Sequence, residues 1–275
     1  DLGEVSSVKG KGEDTKSYKD YIAANKDADE GSKQVVKYAG LLEENYDLIR
    51  QKAGAGGNLD ADALKRYKDT AKGLSDETKE ALDFWSQPGA FNIIDNAKHS
   101  LAQRPDGDLS KGDLQSWLSK SAPKDASSLM TFLSDAAQRS ALSDIDTSKL
   151  GKDVFENPGK YSNEEKAAVL QDLQQAQQLM VDGASAGMWK DDYSKVSIAN
   201  RAHVHPDKEK VFDDLNKHIK ILQDDKAVTK TLSEKTAGAL KDLVADNKGL
   251  KDAVQKTYDD DVKSGKALNK SWDTN

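Results

Sequence analysis

Apolar residues recur at spacings of three and four through most of this chain, the signature of helices that bury one face. Val36, Leu41, Leu42, Tyr46 and Ile49 predict the buried side of a helix over Val35–Gln51. Ser127–Leu142 reads as a second helix, and Glu164–Met180 as a long one with a glutamine-rich face. Pro206 opens another, in which Val211, Leu215, Ile219 and Leu222 form one stripe. Trp85-Ser86-Gln87-Pro88-Gly89-Ala90-Phe91 is a helix stop and restart, and Ala245-Asp246-Asn247-Lys248-Gly249-Leu250 plays the same part later. Asn157-Pro158-Gly159 is a turn, and Val181–Val204 is irregular around Gly183, Gly187 and Trp189. The expected fold is all-α. Its divisions are a flexible N-terminal tail over 1–34 with a short helix near Tyr18–Ala24, a helical domain over 35–150 and another over 151–275. A charged helical chain of this kind is compatible with an elongated shape.

Two loops interrupt the helical pattern in a related way. Gly57, Leu59, Leu64 and Tyr67 match Gly107, Leu109, Leu114 and Trp117 at a constant offset of 50 residues. Each set fits the second half of an EF-hand-like loop: a glycine turn, an apolar residue, then an exiting helix. Such loops pair through their apolar residues, so Leu59 and Leu109 are expected to form a short antiparallel bridge. Asp113 falls six residues after Gly107, where a helix-borne carboxylate closes an ion cage. In the usual register, Ala102 and Arg104 occupy two positions that should be acidic, so Asp95 would have to replace them by a fold-back of 96–104. The candidate calcium ligands are Asp95, Asp106, Asp108, Ser110 and Asp113. The first loop lacks the carboxylates and is read as non-binding; the bland reading of the second is a loop kept for packing.

A second repeat consists of Leu74-Ser75-Asp76-Glu77-Thr78, Tyr161-Ser162-Asn163-Glu164-Glu165 and Leu232-Ser233-Glu234-Lys235-Thr236. In each, a serine is placed to cap a helix whose first turn is acidic, and matched alanines follow. Ser162 with Glu165 fits a capping box. Three copies suggest repeated helix-turn-helix units.

Composition narrows the functional classes. Apolar residues make up 36%, charged residues 32%, and the net charge is −7 with both signs interspersed. No basic stripe stands out, which argues against a nucleic-acid partner. The absence of cysteine excludes disulfides and thiolate metal sites. No run of about 18 apolar residues exists to span a bilayer. No signal peptide is visible, and the start at Asp1 is compatible with a fragment whose hydrophobic parts lie elsewhere.

Other candidate chemistry has a plain alternative. His203 and His205 alternate on an extended segment and could converge on a metal with Asp207, but a third ligand short of distant His218 is missing, so a polar turn before a helix is the better reading. Asp259-Asp260-Asp261 reads as a solvated helix end. Trp85, Trp117, Trp189 and Trp272 read as core anchors. No nucleophile, base and orienting group cluster in catalytic order, so no enzyme is expected.

Phe84-Trp85-Ser86-Gln87-Pro88-Gly89-Ala90-Phe91, the Pro105–Leu114 loop, and Asp153-Val154-Phe155-Glu156-Asn157-Pro158-Gly159-Lys160-Tyr161-Ser162 together resemble the HrpF/NolX family, over about residues 40–270. The order of these motifs is the stronger signal. The resemblance implies a secreted, non-enzymatic component of a type III secretion translocon in a plant-interacting bacterium, aiding effector delivery. Implied partners are other secretion-system or host proteins, with host membrane reached only through segments outside this chain. One departure is the lack of the hydrophobic segments that membrane-active members carry. An effector or adaptor acting by protein–protein binding is the alternative.

Overall fold

Helices begin in this protein where the sequence offers an oxygen to the free N–H groups of a first turn. The computed structural model describes residues 15–97, 107–185 and 206–263. Thr15 caps α1 (Lys16–Ala24) and Asp29 caps α2 (Glu30–Lys52), its carboxylate accepting from Gly31 and Ser32. Asp60 caps α3 (Ala61–Thr70) and Ser75 caps α4 (Asp76–Trp85). Pro88, preset for a first helical position, starts α5 (Pro88–Asp95). Ser110 caps α6 (Lys111–Ser116), which runs into a π-helical turn over Trp117–Ser121. Then come α7 (Ala126–Ser140), the short α8 (Asp153–Glu156), α9 (Asn163–Ser185), α10 (Pro206–Asp224), α11 (Lys226–Val244) and α12 (Lys248–Lys263). The described residues are all-α, and their one β-type contact is an isolated antiparallel bridge between Leu59 and Leu109.

The chain forms two compact units. The first gathers the described residues up to 97, 107–140 and 237–263; the second holds 141–185 and 206–236. The sequence pattern divides the chain consecutively near residue 150, whereas in the structure the C-terminal helix joins the first unit. The reason is long-range pairing. Asn247 donates to the hydroxyl of buried Tyr38 on α2 and accepts from Leu250 N–H (2.7 Å) at the start of α12. Tyr38 in turn donates to Glu80 Oε2 on α4 (2.7 Å). Leu240, Leu243, Val244, Leu250 and Val254 add to the first unit's core. No local pattern announces a contact between residues 209 apart.

An aromatic group anchors the first unit. Trp85 and Trp117 are both fully buried and meet edge to face at 5.0 Å between ring centroids. Phe132 of α7 lies 5.9 Å from Trp85 and 5.5 Å from Trp117. Helices α5 and α7 cross closely because Gly89 has no side chain, and its N–H donates to Ser140 Oγ at 2.8 Å. Residues 15–34, read from the sequence as part of a flexible tail, are ordered by α1 and the first turn of α2. Tyr21 holds α1 down by donating to the Pro123 carbonyl at 2.5 Å.

In the second unit, α9 and α10 pack around Leu170, Leu215, Ile219 and Leu222, with Val154 and Val228 completing the core. Phe212, not Val211, begins the buried stripe of α10; Val211 is 56% exposed. One residue of rotation separates the two, and both are apolar, so the sequence pattern alone did not choose. Ser162 and Glu165 form the expected capping box, with hydrogen bonds of 2.8 and 3.1 Å. The third serine copy is corrected: Ser233 lies inside α11, which is capped earlier by Asp225 through Ala227 N–H (3.0 Å). No glycine or proline breaks the helix before Ser233, so a capping-type serine there simply continues it. Repeated helix-turn-helix units are thus not what the structure displays.

Four tyrosines of the first unit make its stability pH-dependent. Burial pushes the hydroxyls of Tyr21, Tyr38, Tyr46 and Tyr67 above the ordinary 10, Tyr21 to about 12. Above pH 10 the unfolded chain releases protons that the folded chain retains, so stability falls with rising pH. Urea midpoints are therefore expected to be flat from pH 8 to 10 and to fall steadily toward pH 12; a flat profile throughout would contradict this.

Candidate functional site

Two loops meet at the Leu59–Leu109 bridge, with reciprocal hydrogen bonds of 3.0 Å (Leu59 N–H to Leu109 O) and 2.8 Å (Leu109 N–H to Leu59 O). Both leucines are fully buried, as are Leu64 and Leu114, with Tyr67 and Trp117 in matching core positions. The 50-residue correspondence thus holds for the bridge and the exit helices. It fails at the glycines. Gly107 takes a left-handed φ of 82°, whereas the first loop turns left-handed at Gly54 (68°), not at Gly57. Tyr46 of α2 donates to the Leu109 carbonyl at 2.9 Å, fixing the bridge to the long helix beneath it.

Asp95 and Asp113 are the only buried carboxylates among the described residues, and both attach to the second loop. Asp95 ends α5, and its Oδ2 accepts the Gly107 N–H at 2.9 Å. Asp113 closes a capping box, its Oδ2 accepting from Ser110 N–H (2.9 Å) and Ser110 Oγ (2.5 Å), while its own N–H reaches Ser110 Oγ at 3.3 Å. Two buried carboxylates therefore hold the segment 107–113 from its two ends. Charge-assisted bonds to backbone N–H groups offset part of the cost of removing a carboxylate from water.

The remaining candidates are less gathered. Asp108 is exposed. Asp106, and likewise His203 and His205, lie outside the described residues. Among the described residues no three His, Asp or Glu side chains are grouped to hold a metal ion. His218, far from any such set, stacks on Phe155 at 4.2 Å.

The segment immediately after α6 has no counterpart in the sequence pattern. The turn over Trp117–Ser121 closes with an i to i+5 hydrogen bond, Ala122 N–H to Trp117 O at 2.9 Å. Single π-helical turns occur often at functional sites. This one borders an open cavity of about 470 Å³ shared with α1 and α2. Gln115 of α6 donates to Glu43 of α2 at 3.0 Å on its rim.

Comparison with known proteins places these features in context. Residues 2–183 match the family model described as type III secretion system translocator protein, HrpF. Over 263 residues, 90% of this chain, it is 31% identical to the pathogenicity locus protein HrpK of Pseudomonas syringae pv. syringae. The aligned part spans 38% of that relative's length. No solved structure matches. No helix among the described residues is long and apolar enough to cross a membrane.

Proposed function

We propose that this chain, which belongs to the HrpF family of type III secretion system translocator proteins, is a secreted, non-enzymatic helical portion of a translocator that aids the passage of effectors into host cells. The family match over residues 2–183 carries this reading. It is a family of translocators rather than of enzymes, and such proteins act at the host interface with other secretion-system components. In the bacterium that encodes it, in-frame removal of residues 15–263 is expected to cut host-cell entry of a reporter-tagged effector at least tenfold. Secretion of that effector into medium should be unchanged. Undiminished entry would sink the reading.

The second loop is, on this proposal, a calcium-tuned structural element held by Asp95, Asp106, Asp108, Ser110 and Asp113. Support comes from the two buried carboxylates that converge on residues 107–113. The donors are all oxygen, which suits calcium and not a soft metal. Calcium takes six to eight oxygens, so binding here would draw on the exposed Asp108 and on backbone carbonyls. An ion that binds only the folded chain adds about 2.7 kcal/mol at a hundredfold excess over its Kd. Calorimetric titration of the chelator-stripped chain is expected to show saturable heat that an Asp108→Ala, Asp113→Ala double variant lacks. No heat at millimolar calcium would leave the loop as a metal-free brace.

The cavity beside the π-helical turn favours a second reading, an adaptor that acts by binding another protein. The two are compatible, since a translocator portion must also contact partners.

A further inference from the structure

The cavity at α1 is lined by charged side chains of both signs. Elsewhere on the described surface, many lysines pair with carboxylates one helical turn away, as in Lys79–Asp76 and Lys220–Asp224. Along the cavity, Asp20, Lys120 and Lys124 have no ion-pair partner among the described residues. The signs are also segregated by element. The carboxylates come from one side, Asp20 on α1 and Glu43 on α2. The lysines come from the other, Lys120 on the π-helical turn and Lys124 just before α7. Between them the lining includes Tyr21, Leu118 and Ala122.

The segments that carry these charges are anchored to the core of the first unit. Tyr21 is buried and bound to the Pro123 carbonyl, which ties α1 to the segment carrying Ala122 and Lys124. The opposite wall starts at fully buried Trp117 and is held in the wider π form by the Ala122 bond. A π turn shifts the residues after it by one position relative to an α-helix. Here Trp117 enters the core while Leu118 and Lys120 line the cavity. A volume of about 470 Å³ is within the range that takes a specific ligand, here a few side chains of a peptide.

The structure assigns this cavity as a docking groove for a partner polypeptide segment that presents a basic side chain, an apolar side chain and an acidic side chain in succession. The basic group faces Asp20 and Glu43, the apolar one rests on Tyr21 and Leu118, and the acidic one faces Lys120 and Lys124. Opposite charges on opposite walls set the direction in which the segment lies, because the reversed segment meets like charges on both sides. This rests on the reading of the chain as a translocator portion that contacts other proteins, and names the surface used.

Fluorescein-labelled nine-residue peptides with a central leucine test it on the full chain. One carries lysine and glutamate two residues to either side of the leucine; the others carry lysine at both places or glutamate at both. The mixed peptide is expected to bind at least tenfold more tightly than either like-charged peptide. Amide NMR shifts should map to residues 20–24 and 118–124. In a Lys120→Glu, Lys124→Glu variant the preference should pass to the all-lysine peptide. These lysines are exposed, so the variant is expected to melt like the parent. Equal binding of all three peptides, shifts elsewhere, no binding at millimolar peptide, or an unchanged preference in the variant would overturn the proposal. If removal of residues 15–263 abolishes effector entry while the lysine variant delivers normally and binds without charge preference, the groove fails and the translocator reading stands.

Discussion

Gly89→Ala lowers the stability of the first unit by about 3 kcal/mol, an expected fall of about 6–12 °C in Tm. A Cβ at this position would collide with the carbonyl oxygen of Ala136 and lie 2.7 Å from Ser140 Oγ. The obstruction is backbone on a neighbouring helix, so relief requires α5 and α7 to separate. Separation would also cost the Gly89 N–H to Ser140 hydrogen bond. The companion substitution Gly238→Ala, on α11, has the opposite expected sign. Nothing lies within 4 Å of a Cβ there, and alanine favours the helix by about 1 kcal/mol. Thermal melts of both variants check the pair. If both changes shift stability in the same direction, close packing at Gly89 is not what holds α5 on α7.

Trp117→Ala is expected to cost about 3–5 kcal/mol, the range for truncating a fully buried large aromatic. The loss has two parts. It removes the edge-to-face partner of Trp85 and the contact with Phe132, leaving a cavity among rigid helices. It also removes the anchor from which the π-helical turn departs. Urea unfolding followed by near-ultraviolet circular dichroism measures both, since the two indoles lie 5.0 Å apart and their coupled signal should vanish with Trp117. By contrast Val211→Ala, on an exposed face of α10, should change stability by no more than about 0.5 kcal/mol. Equal effects at the two sites would mean that the aromatic group does not anchor this unit.

The bridge between Leu59 and Leu109 was legible in the sequence because a constant spacing tied two similar motifs together, and the same leucines are buried and bonded to each other here. The match of Gly57 to Gly107 was legible too, yet only Gly107 is left-handed. Glycine permits that conformation without requiring it, and the surrounding chain chose Gly54 for the first loop. Asp95 could be nominated from sequence as the loop's distant carboxylate, but its burial and its bond to Gly107 depend on where α5 ends in space. The groove beside α1 left no sequence signal, since it joins side chains from residues 20, 43 and 120 that have no common motif.

Local chemistry in the sequence determined the helices, their caps at Ser75, Ser162 and Asn247, the break before Pro88, and family membership. The structural features among these rest on interactions within a turn or two of the chain, so neighbouring residues suffice to specify them. Tertiary structure decided that Ser233 lies mid-helix, that Phe212 rather than Val211 faces the core, and that α12 joins the first unit through Asn247 and Tyr38. Each is a choice between locally similar options. It is settled by which arrangement buries more apolar surface while satisfying buried polar groups, and that depends on partners far away in sequence.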